Sequence, residues 1–160
     1  MSRAVFAVGA ILIAVGLAAP PARSGTATDH LAVTASVLSA CSLSGGTLSF
    51  GTYTSGQTTN LDVNGIINYV NCSGSLSFAL DGGGSGNINA RQMSSGTNRL
   101  NYQIYRNAVR NAIWGTGADA HGVVLLTTQS GTVTVYGRIP ASQTAPEGTY
   151  TDTVNNTLTF

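Results

Sequence analysis

Hydrophobic and polar residues alternate along most of the chain, without the apolar spacing of an amphipathic helix. Alternation with a period of two is typical of strands that bury one face. Glycine and serine clusters separate the alternating segments, as turns do between short strands. The pattern therefore predicts an all-β sandwich or barrel. The predicted strands are 48–50, 66–72, 75–80, 100–104, 123–127, 133–136 and 150–160, and a further alternating segment lies at 31–37.

The first 24 residues have the composition of a secretory signal peptide. Arg3 provides a basic start, the run from Ala4 to Ala19 is apolar, and Ala22 and Ser24 are the small residues of a cleavage site. We therefore expect cleavage near Ser24 and secretion of the remaining chain. The alternative is a retained membrane anchor. It is disfavoured because the apolar run is short for a spanning helix, so no stable membrane insertion is expected.

The remaining chain has few charges and two cysteines. Five arginines and six carboxylates give a nearly neutral domain with no lysine, which offers no basic surface for nucleic acid. In an oxidising compartment, Cys41 and Cys72 are expected to form a disulfide worth roughly 3–4 kcal/mol on the chain-entropy model. The alternative is two free, buried thiols.

The residues that could catalyse a reaction or bind a ligand do not form a recognisable site. The glycine-rich stretch 82–86 lies between predicted strands and lacks the helix that a phosphate loop requires. His30 and His121 are isolated, and His121 beside Asp119 supplies too few metal ligands, so both histidines are expected in solvated loops. Trp114 is expected in the core rather than on a sugar-binding surface. We expect no enzyme activity, cofactor or metal.

The densest motif lies near the C-terminus. A run from Val135 to Gln143 is followed by a second from Pro146 to Val154, which introduces a strand that ends with the chain at Phe160. A β-sandwich that stops at this point leaves one groove open. We therefore expect the missing strand to come from another molecule, because an unpaired edge beside an apolar trough accepts an added strand.

Several short motifs follow one another along the chain in a distinctive order. They are Cys41, Leu48-x-Phe50-Gly51-x-Tyr53, Cys72, Leu100–Tyr105, Trp114-Gly115-x-Gly117, Val135–Pro140 and Gly148–Val154. With its motifs in this order, the chain resembles the spore coat protein U domain family, which includes the archaic, Csu-type chaperone–usher pilus subunits. The resemblance covers essentially the whole chain after the signal peptide.

The resemblance implies an incomplete immunoglobulin-like β-sandwich that lacks its final strand and is completed by donor-strand complementation. It divides the chain into a signal peptide (1–24), an N-terminal donor-strand arm (25–36) and a sandwich domain (37–160). The implied partners are a periplasmic chaperone, an outer-membrane usher and other pilus subunits. The expected role is a structural pilus subunit at the cell surface, serving adhesion and biofilm formation. Open alternatives are a spore-coat or other secreted surface protein, and a minor adaptor or tip adhesin.

The implied site has two parts. The donor-strand residues share one face of the arm: Leu31, Val33, Ala35 and Val37. The residues of the acceptor groove and of the chaperone contact are Val154, Leu158 and Phe160. Asn156 interrupts this apolar alternation. Either a neighbour satisfies its side chain, or the inward-facing phase of the last strand shifts there.

Overall fold

The structure is a computed structural model that describes residues 24–37 and 40–160. It consists of two units, Met1–Ser36 and Val37–Phe160. In the first unit, the described residues 24–36 form no helix or strand, and they are exposed. The predicted signal peptide, except for Ser24, lies outside the described residues.

In its described residues the second unit contains seven β-strands, which confirms the all-β prediction. They are β1 (Ser42–Thr47), β2 (Leu61–Leu80), β3 (Gln92–Ser95), β4 (Asn98–Asn101), β5 (Gln103–Tyr105), β6 (His121–Ile139) and β7 (Asn156–Thr159). Helical structure within the described residues is limited to two short 3₁₀ helices, Gly83–Ser85 and Gly117–Asp119. No helix in this part of the chain is long and apolar enough to cross a membrane.

β2 and β6 form a long antiparallel ribbon that folds back on itself. The sequence predicted each of these strands as two shorter ones, which was wrong. Asn71 and Gly74 adopt positive φ at register irregularities in β2, and such bulges bend a strand while its pairing continues. Tyr69 and Phe78 would be about 30 Å apart along a straight strand. Their ring centroids are only 5.9 Å apart, so the two halves of the ribbon face each other.

Each half of the ribbon has its own neighbours. β1 pairs with the first half of β2, and β5 pairs with the part of β6 opposite that half. β7 pairs with the end of β2 over Ser77–Leu80, so the last strand is shorter than the predicted 150–160. β3 and β4 form a separate hairpin that contacts the final segment through a bridge between Ser94 and Thr151. The result is a two-layered sandwich.

The core lies between these layers and contains apolar side chains from both halves of the ribbon. Trp114 is fully buried, and its indole Nε1–H donates to the carbonyl of Phe78 at 2.7 Å. This confirms the expectation that Trp114 belongs to the core. The other buried apolar residues are Ile67, Tyr69, Cys72, Leu76, Phe78, Leu80, Leu100, Tyr102, Ile104, Leu125, Val133, Val135 and Ile139.

Candidate functional site

One side of the sandwich opens into a groove of about 1270 Å³. One wall is formed by residues 43–55 and the opposite wall by residues 145–156. The floor between the walls is largely apolar. It consists of Ile66, Ile67, Leu80, Met93, Leu100, Tyr102, Ile104, Val135 and Ile139. The core of the domain is therefore continuous with the surface along this groove.

β1 lines the groove and β7 reaches it through Asn156, and each of these strands has one edge without a described neighbour. β1 pairs with β2 through one of its edges, and β7 pairs with β2 through one of its edges. Among residues 24–37 and 40–160, no strand pairs with the other edge of β1 or of β7. An unpaired edge presents a row of free backbone N–H and C=O groups. The groove therefore offers what an added strand requires, namely an apolar floor for its side chains and unpaired strand edges for its backbone.

The two walls are joined where residues 53–57 meet residues 140–143. The amide of Gly56 donates to the carbonyl of Gln143 at 2.8 Å. The Tyr53 hydroxyl accepts a hydrogen bond from the Gln143 amide at 3.0 Å and donates to the Pro140 carbonyl at 3.2 Å. This junction explains two sequence motifs at once, because Tyr53 belongs to one and Pro140 to the other.

The 145–156 wall is held in place by two aspartates. Asp152 accepts hydrogen bonds from the Gly84 amide at 2.8 Å and from the Tyr102 hydroxyl at 2.6 Å. Asp81 accepts from the amides of Gly83 and Asn155, both at 2.9 Å. Burial raises the pKa of Asp81, but these hydrogen bonds outweigh it and hold the pKa below its usual value. The glycine-rich loop thus anchors the last segment of the chain.

A buried arginine contacts Asp81, one of the two aspartates that anchor this wall, and this arginine was not identified from the sequence. Arg91 is fully buried. Its guanidinium donates to the carbonyls of Asp81 and Trp114, each at 2.7 Å, and to Oε1 of Gln103 at 2.7 Å. Burial lowers the pKa of Arg91, although nearby acidic groups oppose that shift. These hydrogen bonds connect the loop, the core and β5.

The Val135–Pro140 motif packs beneath the other wall. A Cβ on Gly137 would lie 2.8 Å from Cδ2 of Leu48 and 2.9 Å from Cζ of Phe50, so a larger residue there would displace these two side chains. Next to it, Arg138 forms a bidentate pair with Asp62 at 2.7 and 2.8 Å. The hydrogen bond from Arg138 lowers the pKa of Asp62, burial opposes this, and the charge of Arg110 adds to it.

The disulfide prediction is confirmed. Cys41 and Cys72 are bonded through their Sγ atoms, with Cα atoms 4.4 Å apart. The bond joins the residue before β1 to the bend of β2. It therefore attaches one wall of the groove to the central ribbon.

The expectation for His121 was wrong. It begins β6, is half-buried and packs against Trp114 with ring centroids 5.1 Å apart. Burial lowers its pKa, and the nearby charge of Arg106 lowers it further. His30 is exposed. Within the described residues, no group of three or more His, Cys, Asp or Glu side chains could hold a metal ion.

The predicted acceptor residues occupy three different environments. Val154 lines the groove. Leu158 lies opposite Phe78 in the β7–β2 pair and packs against the core. Phe160 is 59% exposed at the end of the chain. The predicted donor residues Leu31, Val33, Ala35 and Val37 are all exposed. Their assignment to a donor strand, and that of the three acceptor residues to a chaperone contact, stays a prediction.

Asn156 keeps the inward phase of the last strand. It lies opposite Leu80, a buried residue, and residues directly opposite in an antiparallel pair share one face of the sheet. Its side chain therefore faces the core and lines the groove. Its Oδ1 is buried and has no hydrogen-bond partner within the described residues. The explanation by a shifted phase is therefore wrong, and no neighbour in the described part of the chain satisfies this oxygen.

Comparison with known proteins agrees with this description. The Spore Coat Protein U domain family matches residues 27–157. The chain belongs to the spore coat protein U domain family. Protein U from Myxococcus xanthus is 35% identical in an alignment of 179 positions, which covers 96% of this chain and 97% of that protein. Protein U is thus similar to this chain over nearly its full length.

Two solved structures are similar at TM-scores of 0.49. One is a chaperone–tip adhesion subunit pre-assembly complex from archaic chaperone–usher Csu pili of Acinetobacter baumannii. It is 26% identical, and the match covers 75% of this chain and 39% of that chain. The other is a chaperone–usher pilus structure, 18% identical, with 89% of this chain and 99% of that chain covered. The family assignment rests on the sequence matches.

Proposed function

We propose that this chain is a structural subunit of a secreted chaperone–usher polymer that assembles by donor-strand exchange. Residues 1–24 direct export and are removed, residues 25–36 form the donor arm, and residues 37–160 form the acceptor domain. The observation that carries this proposal is the apolar groove between two unpaired strand edges. In the polymer, the arm of one copy fills the groove of the next.

The chemistry of the arm is complementary to that of the groove. Leu31, Val33, Ala35 and Val37 alternate with polar or small residues and are exposed, so a strand made from them presents one apolar face. Burying the three larger side chains contributes on the order of 5–8 kcal/mol. Each backbone hydrogen bond to a groove edge adds about 1 kcal/mol. This total is comparable to the stability of a whole small domain.

Before assembly, the groove needs a temporary occupant. An exposed apolar trough beside free strand edges is an aggregation hazard. A periplasmic chaperone that lends a strand to β7 would cover it, and the exposed Phe160 that follows β7 is available to that chaperone. An outer-membrane usher would then exchange the chaperone for the next subunit. The assembled pilus would serve surface adhesion and biofilm formation, a structural rather than enzymatic role.

A second candidate is a secreted coat protein that does not form long fibres. The description of the family as a spore coat domain, together with the similarity to Protein U, favours it. A minor adaptor or tip subunit of a pilus is a related possibility. Electron microscopy of cells with and without the gene distinguishes fibres from a coat.

A matched pair of charge substitutions in the arm tests donor-strand exchange. Val33 and Thr34 are neighbours that face opposite sides of an extended arm. We expect Val33→Asp to reduce polymer formation by about tenfold or more, because a carboxylate would enter an apolar groove. Thr34→Asp, with the same charge on the solvent side, should have a much smaller effect. Size-exclusion chromatography of the purified chain measures both. Equal polymer formation by the two variants would refute insertion of this arm.

A further inference from the structure

The groove contains one polar group that its own domain leaves unsatisfied. Within the described residues, Oδ1 of Asn156 is buried without a hydrogen-bond partner, and Asn156 lines the groove on the same face as Leu80. A buried polar atom without a partner destabilises a fold, so native proteins rarely retain one. Leu or Val at this position would continue the apolar alternation of Val154 and Leu158. The amide is therefore unfavourable for the isolated subunit.

The position of Asn156 indicates where its partner would come from. It is the first residue of β7 and the one residue of that strand that lines the groove. A strand added along the open edge of β7 would bring inward-facing side chains to within about 5 Å of the facing residues of β7, Cβ to Cβ. Serine, threonine or asparagine at the facing position could donate to Oδ1. The amide can also donate, so a hydroxyl could pair with either end of it.

We propose that Asn156 is a specificity-determining residue that selects donor strands with a hydroxyl or amide side chain at the facing position. This rests on the proposed donor-strand function. The inward positions of the chain's own arm are Leu31, Val33, Ala35 and Val37, and none of them can donate. Ala35 is the smallest of the four and leaves room for an amide, so we expect it to face Asn156. The groove then prefers the arm of a different subunit over its own.

A hydroxyl scan of the arm tests this in the full-length chain. Ala35→Ser, Val33→Thr and Val37→Thr each add one hydroxyl with little change in shape. Each is combined with native Asn156 and with Asn156→Leu, and the thermal dissociation of the assembled polymer is measured. Ala35→Ser should strengthen assembly with native Asn156, by about tenfold in the binding constant. In the Asn156→Leu background it should weaken assembly. The two threonine variants should weaken it in both backgrounds.

Each outcome of the scan is decisive. Coupling between Asn156 and a hydroxyl at any one of the three positions supports the selection mechanism and identifies the register of the arm. Polymers that form normally, with no coupling at any position, overturn the mechanism but leave donor-strand exchange intact. A chain that takes up neither its own arm nor an added peptide of residues 28–37 carrying Ala35→Ser overturns both. If Asn156→Leu does not fold, Asn156→Ala removes the amide without adding bulk and replaces it in the cycle.

Discussion

The two sides of this sandwich differ in how completely they are paired. On the ribbon side, β2 and β6 pair from Leu61–Ile139 to Phe78–His121. On the groove side, β1 and β7 each have a described partner on one edge only. Two buried polar groups show a similar contrast. The guanidinium of Arg91 has several acceptors, whereas Oδ1 of Asn156 has none in the described chain.

This difference separates the residues that make the subunit from those that join it to a neighbour. Where the chain itself supplies every neighbouring strand and hydrogen-bond partner, substitutions should destabilise the free subunit and the assembled form alike. Where partners are missing, substitutions should act on assembly. The anchoring residues around the groove belong to the first class, because they fix its walls through partners within the described chain. Three predictions, from the largest effect to the smallest, test this division.

Breaking the disulfide should produce the largest loss. Cys72→Ala removes the covalent link between the bend of β2 and the residue before β1. We expect about 3–4 kcal/mol of destabilisation, since the closed loop spans about thirty residues. Urea denaturation of the purified subunit measures it. Cys41→Ala should give a similar loss, and the double variant should not add a second one. Full stability in Cys72→Ala would show that the ribbon holds this wall without the bond.

Removing the hydroxyl of Tyr102 should have an intermediate effect. Burial raises its pKa, as does the hydrogen bond to Asp152, so the phenol stays protonated and donates to that carboxylate at 2.6 Å. Tyr102→Phe leaves the carboxylate oxygen without this donor, at a cost of about 2 kcal/mol. Thermal unfolding should show a midpoint lower by roughly 5 °C.

Tyr150→Phe is the matched control for Tyr102→Phe. The Tyr150 hydroxyl donates to the Pro146 carbonyl at 2.9 Å, and that bond is exposed to water. Its loss should cost a few tenths of a kcal/mol, about the effect of an ordinary surface substitution. Equal losses in the two variants would mean that the Asp152 anchor contributes nothing special to the wall.

The exposed Arg138–Asp62 pair should have the smallest effect. Its hydrogen bonds lower the pKa of Asp62 in the folded state. The stabilisation is therefore present above the unfolded pKa of about 4 and is lost as the pH falls through the folded pKa. Arg138→Gln should cost less than about 1 kcal/mol at pH 7, because solvent screens the pair. The difference from wild type should shrink below pH 4. A difference that grew on acidification would contradict this assignment.

The sequence indicated the strands and the disulfide because local pattern and compartment determine both. It failed at the bend of β2, since Asn71 and Gly74 look like turn residues and nothing local shows that pairing continues past them. It also missed Arg91, because the acceptors of this side chain are mostly backbone carbonyls that only the fold brings together. His121 was misassigned for the same reason, as its packing partner Trp114 lies in another segment.

The residues of the groove were partly predictable. Alternation placed Val154 and Leu158 on one face, but it could not show that Leu158 lies opposite Phe78 on the core while Asn156 lines the groove. That distinction depends on how far β7 pairs along β2. Sequence periodicity does not encode this length.

The central claim is that this domain lacks one strand, and self-complementation tests it most directly. A flexible linker and a copy of residues 28–37 are added after Phe160, and thermal unfolding is compared with that of the unmodified chain. We expect a monomer stabilised by about 5 kcal/mol or more, which corresponds to a midpoint at least about 10 °C higher. The same extension with Val33→Asp in the added copy should lose most of that gain. An unchanged midpoint in the extended chain would show that the domain is already complete.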